Sequence, residues 1–196
     1  LVFVADVMGH GARAALVVAT LRGLLEQLAK ETQKPGEFMT RLNAAYSKIF
    51  STAGDLMFAT ACCAFFDLDQ GKVLHANAGH PLPVIVDPGG AARIAQIADR
   101  GLGPALGLFA DAQFGHDEFA LAPGMRLLFY TDGLTEARND AQDEFDVDGM
   151  MASLQTHRAD PLPDLLEALV RDVKEFTGTA VFEDDVCLLA VGYADA

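Results

Sequence analysis

The sequence predicts an α+β domain, and three observations carry that expectation. Two successive segments near the start space their apolar residues at three and four. Short apolar stretches joined by turn-forming residues then run through the middle, and a further helical spacing precedes a closing apolar stretch. Runs of strands followed by runs of helices suit antiparallel sheets with helices segregated on their outer faces.

Taken in order, Leu1 to Ala5 reads as a buried strand running straight into Asp6. From Ala12 to Lys30, the residues Ala14, Val17, Val18, Leu21, Leu24, Leu25 and Leu28 form the stripe of an amphipathic helix, with Gly9 and Gly11 just before it. A second helix is expected from Gly36 to Phe50, with Phe38, Leu42, Ala45, Tyr46 and Ile49 on one side and Pro35 near its start. Met57 to Phe66 and Lys72 to Ala78 read as a hairpin around the turn Asp67 to Gly71. Leu82 to Val86 and Ala91 to Ile97 form a second pair around Asp87-Pro88-Gly89-Gly90. After the Gly-rich passage from Gly101 to Gly107, Phe114 to Leu121 and Arg126 to Tyr130 are expected to pair across Pro123-Gly124. Pro161 to Phe176 is helical by the spacing of Leu162, Leu165, Leu166, Leu169, Val173 and Phe176, and Val186 to Val191 closes as a strand. No internal repeat, linker or low-complexity segment interrupts the 196 residues, so one domain is expected. Because the chain opens directly on a strand, it reads as a fragment.

With 28 acidic against 14 basic residues the net charge is -14, which repels a phosphate backbone and excludes nucleic acid as a natural partner. An acidic protein that handles phosphate needs metal cations to do so. Cys62 and Cys63 are adjacent and Cys187 is distant, so neither a disulfide framework nor a CxxC pair is written here, and buried reduced thiols in a cytoplasmic protein are expected. No apolar run approaches a membrane span, and no leader pattern opens the chain.

Three places set an acid at the end of an apolar strand beside small residues. They are Asp6 in Asp6-Val7-Met8-Gly9-His10-Gly11, Asp132 in Thr131-Asp132-Gly133, and Asp184 with Asp185 before the last strand. Carboxylate-rich oxygen sites suit Mg²⁺ or Mn²⁺, whereas zinc asks for closely spaced His or Cys, and no HExxH pattern occurs among the histidines. Taken singly each acid has an ordinary reading: Asp132 as a turn residue, Asp184 and Asp185 as solvated charges, Asp6 as part of a strand-to-helix turn.

Together with Ala14-Ala15-Leu16, Phe58-Ala59-Thr60, Asn77-Ala78-Gly79-His80-Pro81, Leu106-Gly107, Pro123-Gly124, Tyr130 to Ala137 and Asp184-Asp185-Val186, these segments span essentially the whole chain. In that order and spacing the chain resembles the type-2C (PPM) metal-dependent serine/threonine protein phosphatases, in the branch represented by SpoIIE and RsbU. The resemblance implies an antiparallel β-sandwich flanked by helix layers, with two Mn²⁺ or Mg²⁺ ions at one end. It implies Asp6 as a bridging carboxylate, the Val7 carbonyl, Asp132 and Asp184 as further ligands, and Asp185 as the neighbour that could be confused with Asp184. Hydrolysis of phosphoserine or phosphothreonine would then proceed by in-line attack of metal-bound hydroxide.

Protonation of the leaving oxygen falls to a metal-bound water or to His10, and a loop histidine bonded to backbone is the competing reading of His10. Asn77 and His80 are markers of the resemblance with a structural role expected. Cys187 stands where this branch usually has Thr, a change that bears on hydrogen bonding behind the ligands. Gly101 to Gly107 is open between a border of the catalytic cleft and an ordinary connection. Implied partners are a phosphorylated regulatory protein of the anti-anti-sigma type and an upstream sensory or receiver domain, with a homodimer as an open assembly. The helix from Ala12 to Lys30 begins just after Asp6, so a partner that shifts it would drag the metal-binding turn. The alternative function is a catalytically inactive pseudophosphatase that grips a phosphoprotein.

Overall fold

In the computed structural model the described residues are 1–50, 57–96 and 101–194, so the expected strand end at Ile97 lies outside them. The chain forms two compact units, Leu1–His80 with Gln96–Leu121, and Pro81–Ala95 with Ala122–Ala196.

The first unit is built on a five-stranded sheet in the order β1-β2-β3-β6, with β7 also on β3. Its strands are β1 (Val2–Val7), β2 (Ala59–Asp67), β3 (Lys72–Ala78), β6 (Leu102–Gly103) and β7 (Asp117–Ala120). The expected hairpin is present as β2 and β3. At the start of the Gly-rich passage Leu102–Gly103 forms β6 and pairs parallel with Asn77 and Ala78. That parallel pair makes the sheet mixed rather than purely antiparallel.

Helices α1 (Ala12–Leu28) and α2 (Pro35–Phe50) cover one face of this sheet. Side chains alternate across a strand, and β2 accordingly sends Ala59, Ala61 and Cys63 into a core with Val17, Leu21, Phe38, Met39, Leu42 and Tyr46. The register pairs Phe3 with Cys63, Ala5 with Ala61 and Val7 with Ala59, so Val7 packs on this helix side. Asp6, opposite Thr60, belongs to the other face, with Val4 and Cys62. Two expected stripe residues depart from the core: Ile49 at the end of α2 is 45% exposed and Val18 of α1 is 55% exposed, the latter because the helix rotates Val17 and Leu21 inward and a neighbour of Val17 in sequence lies about 100° round the axis.

The second unit holds a four-stranded sheet, β5-β4-β8-β9, formed by β4 (Val84–Val86), β5 (Ala92–Ile94), β8 (Arg126–Tyr130) and β9 (Leu188–Gly192). The hairpin across Asp87 to Gly90 is present. The expected pairing across Pro123-Gly124 is not: β7 pairs with β3, and β8 lies between β4 and β9. The turn bends the chain there, but the Leu121 N–H donates to Gly71 and the Gly124 N–H to Tyr193, so the two arms join different sheets.

Helices α3 (Asp146–Thr156) and α4 (Leu162–Thr177) pack on this sheet. Leu165, Leu169 and Val173 meet Met150, Leu154, Leu128 and Tyr130 in a second core. Gly178, with φ 70, ends α4 as its N–H donates to the Lys174 carbonyl. No expectation covered α3. No described helix is long and apolar enough to cross a membrane. Cys62 and Cys63 are buried as expected, whereas Cys187 is exposed, since it stands before β9 begins.

Candidate active site

The acids singled out in the sequence fall in both units. In the first, Asp6 is the penultimate residue of β1, half-buried, and directly opposite Thr60. Val7 closes the strand, and Met8, Gly9 and His10 follow in an exposed turn. The Met8 N–H still donates to the Phe58 carbonyl at 3.1 Å, so the ladder extends past Asp6 and fixes its backbone on both sides.

Behind Asp6 lies a set of polar groups whose role the sequence left open. His80 is buried, and its Nδ1 lies 2.8 Å from the Thr60 hydroxyl oxygen. Asn77, also buried, holds the His80 backbone from both sides. Its Oδ1 accepts the His80 N–H at 2.9 Å, and its Nδ2 donates to the His80 carbonyl at 2.8 Å. The structural role expected for both residues is present. Thr60 was not singled out for chemistry, although Phe58-Ala59-Thr60 stood among the marker segments. The missing signal is the strand register, which no local pattern carries.

In the second unit β8 runs into Thr131 and then a 3-10 turn, Asp132–Leu134. The Asp132 carbonyl accepts the N–H groups of Thr135 and Glu136, both at 2.8 Å, which pins the residue's backbone. Gly133 is buried, and a Cβ built there would lie 2.8 Å from the Asp185 carbonyl oxygen and 3.3 Å from Asp184 Cβ. The Asp132 turn and the Asp184–Asp185 segment are therefore packed backbone to backbone, and only glycine leaves room for it. Thr131 staples the same segment: its hydroxyl donates to the Asp185 carbonyl at 2.8 Å and accepts the Cys187 N–H at 2.9 Å. It is thus the backbone of Cys187, rather than its thiol, that takes part in hydrogen bonding behind the acids. Asp184 and Asp185 are exposed, and the Asp185 N–H donates to Asp184 Oδ1 at 2.7 Å. Beside them a depression of about 300 Å³ is lined by Gly133, Glu136, Arg138, Glu183 and Asp184, among others.

The donor set is carboxylate and carbonyl oxygen throughout, which fits a hard divalent cation such as Mg²⁺ or Mn²⁺ and not zinc. Among the described residues no three His, Cys, Asp or Glu side chains converge into a metal cage.

Sheets backed by helix pairs, with acids at the strand ends, are the architecture of the PP2C phosphatase fold. The SiaA-PP2C domain of Pseudomonas aeruginosa shares it with a TM-score of 0.79 at 23% identity, over 97% of this chain and 74% of that one. The catalytic domain of the serine threonine protein phosphatase PstP, solved in complex with 2 manganese ions, does so with a TM-score of 0.68 at 16% identity, over 98% and 87%. The chain belongs to the Stage II sporulation protein E (SpoIIE) family, whose model matches residues 1–194. It is similar to the phosphoserine phosphatase RsbP of Bacillus subtilis (strain 168), at 25% identity over 191 residues. That match covers 97% of this chain but 45% of RsbP, so the chain spans just under half the length of that relative.

Proposed function

We propose that this chain is the catalytic domain of a metal-dependent phosphatase that hydrolyses phosphoserine or phosphothreonine on a regulatory protein, of the anti-anti-sigma type. The observation that carries the reading is the packing of Asp132-Gly133 onto Asp184-Asp185 at the end of β8, in a chain of the SpoIIE family. RsbP, which bears the name phosphoserine phosphatase, and the manganese-bound PstP domain support it.

Asp6, the Val7 carbonyl, Asp132 and Asp184 are the assigned ligands for two Mn²⁺ or Mg²⁺ ions, with Asp185 holding Asp184 in place. When bound, such ions acidify water and stabilise charge as phosphorus undergoes in-line displacement. The chain's own residues supply the rest. The β1 ladder and the 3-10 turn fix the backbone that carries Asp6 and Asp132 before any cation arrives, which reduces the ordering cost of binding it. His10, exposed in the turn after β1, is the assigned donor of a proton to the departing seryl or threonyl oxygen. The -14 net charge disfavours an anionic substrate, and cations held by the acids would offset that locally, so substrate and metal binding are coupled. An upstream sensory or receiver domain acting through α1 is the assigned source of regulation.

Turnover of a phosphoserine peptide is expected to require Mn²⁺ or Mg²⁺ and to vanish in excess chelator. Undiminished turnover with chelator present would overturn the metal reading. The pseudophosphatase alternative draws on the absence of three converging ligands among the described residues. It requires phosphoprotein binding with no turnover at any Mn²⁺ concentration.

A further inference from the structure

We propose that His80 and Thr60 together position the Asp6 carboxylate, so that His80 sets the metal affinity of a ligand through an intervening hydroxyl. The inference rests on the reading of Asp6 as a metal ligand, and three observations within the first unit carry it.

First, the backbone of His80 is fixed from every side. Asn77 grips both its N–H and its carbonyl, and Pro81 restricts it to extended conformations. Gly79 adopts φ 68, a left-handed conformation that glycine takes without steric cost. A buried asparagine that spends both amide groups on one residue of a turn is more than the turn itself requires, since Gly79 already makes the bend.

Second, the ring so placed has its Nδ1 2.8 Å from the Thr60 hydroxyl. Third, Thr60 is the register partner of Asp6, and directly opposed residues of an antiparallel pair bring their Cβ atoms within about 4.5–5.5 Å on the same face.

Proton counting then assigns the direction. A threonine hydroxyl has one proton and accepts through its lone pairs, and an ionised carboxylate only accepts. If Thr60 gives its proton toward Asp6, it must take one from His80, which therefore carries its proton on Nδ1. The carboxylate is then held in one rotamer by a hydroxyl whose own rotor is held by an immobile ring. Groups that orient a metal ligand in this way change affinity by about 10–100-fold when removed.

The test is direct titration of the intact protein with Mn²⁺ alone, alongside thermal melting. Thr60→Val, which keeps the shape and loses the hydroxyl, and His80→Ala are each expected to weaken Mn²⁺ binding about tenfold. Their combination should be no weaker than the worse single variant, because both act through one chain of contacts. Thr60→Ser is expected to retain the parent affinity. Parent-like Mn²⁺ affinity in Thr60→Val, or a Thr60→Ser variant as weak as Thr60→Val, overturns the positioning role while leaving the ligand reading intact. An unchanged affinity in Asp6→Asn sinks the ligand reading itself. Should His80→Ala fail to fold, ¹⁵N NMR of the parent decides in its place: a protonated Nδ1 supports the assignment, and a neutral ring protonated on Nε2 alone overturns it.

Discussion

The two places where acids gather differ in what holds them. Around Asp6 the proposed bracing runs through side chains: Thr60 lies opposite in the ladder, the His80 ring lies 2.8 Å from the Thr60 hydroxyl, and Asn77 fixes His80. Asp132 and Asp184 are braced by backbone, with Gly133 against the Asp185 carbonyl and Thr131 stapling the strand that follows. The difference teaches that acids of one kind can be positioned in two ways with different weaknesses. The first arrangement fails when a hydrogen-bonding group is removed, whereas the second fails also when volume is added.

Replacing the acids themselves is the most severe way to test the comparison. Asp6→Asn and Asp132→Asn are each expected to lower phosphopeptide turnover by about a hundredfold or more, beyond the loss from groups behind a ligand. Circular dichroism and melting should stay close to the parent. Near-normal kcat in either variant removes that residue from the ligand set.

Next come the braces, where the two arrangements should separate. Asn77→Ala leaves the buried N–H and carbonyl of His80 without their partner and is expected to cost about 2–4 kcal/mol in chemical unfolding. Gly133→Ala adds one methyl group and is expected to cost about 1–3 kcal/mol, because the Asp185 carbonyl must move. Turnover should fall in Gly133→Ala even at temperatures where the variant is fully folded. If Gly133→Ala is as stable and active as the parent, the backbone packing does not position the acids.

A smaller effect is expected at the staple. Thr131→Val removes the hydroxyl bonded to the exposed Asp185 and Cys187 and should cost about 0.5–1.5 kcal/mol, with Thr131→Ser recovering most of it.

The smallest prediction concerns His75, 1% exposed on β3, whose ring nitrogens have no hydrogen-bond partner among the described residues. Burial holds its pKa below the usual 6.5, with Asp117 opposing the shift and His116 adding to it. The folded state keeps the ring neutral while the unfolded chain takes up a proton, so stability is full above 6.5 and falls as pH drops toward the lower folded value. Urea unfolding of His75→Leu should lose less stability than the parent as pH falls below 6.5. An identical pH slope in parent and variant would exclude His75 as its source.

Most of the element order was legible in the sequence, and so was the candidate set of acids, because both are written within a few residues. Spacings of three and four mark α1, α2 and α4, and the turn residues at Asp67 to Gly71 and Asp87 to Gly90 mark two hairpins that exist. The carboxylates beside glycine at strand ends pointed to hard cations for the same local reason. Helix α3 was hidden because Gly149 lies inside it and few of its residues, Met150, Ser153 and Leu154, are buried, so no stripe stands out. The parting of β7 from β8 was equally hidden, since Pro123-Gly124 says that the chain turns but not which sheet edge receives each arm. The bracing of Asp6 lay furthest from view. Asn77 and His80 were visible as a motif, but their meaning depends on β1 pairing with β2 in the one register that sets Thr60 opposite Asp6. A slip of one residue would turn every side chain of β1 to the other face. What excludes that slip is the burial of Phe3, Ala5 and Val7 against α1 and α2, a long-range packing choice that only the folded chain makes.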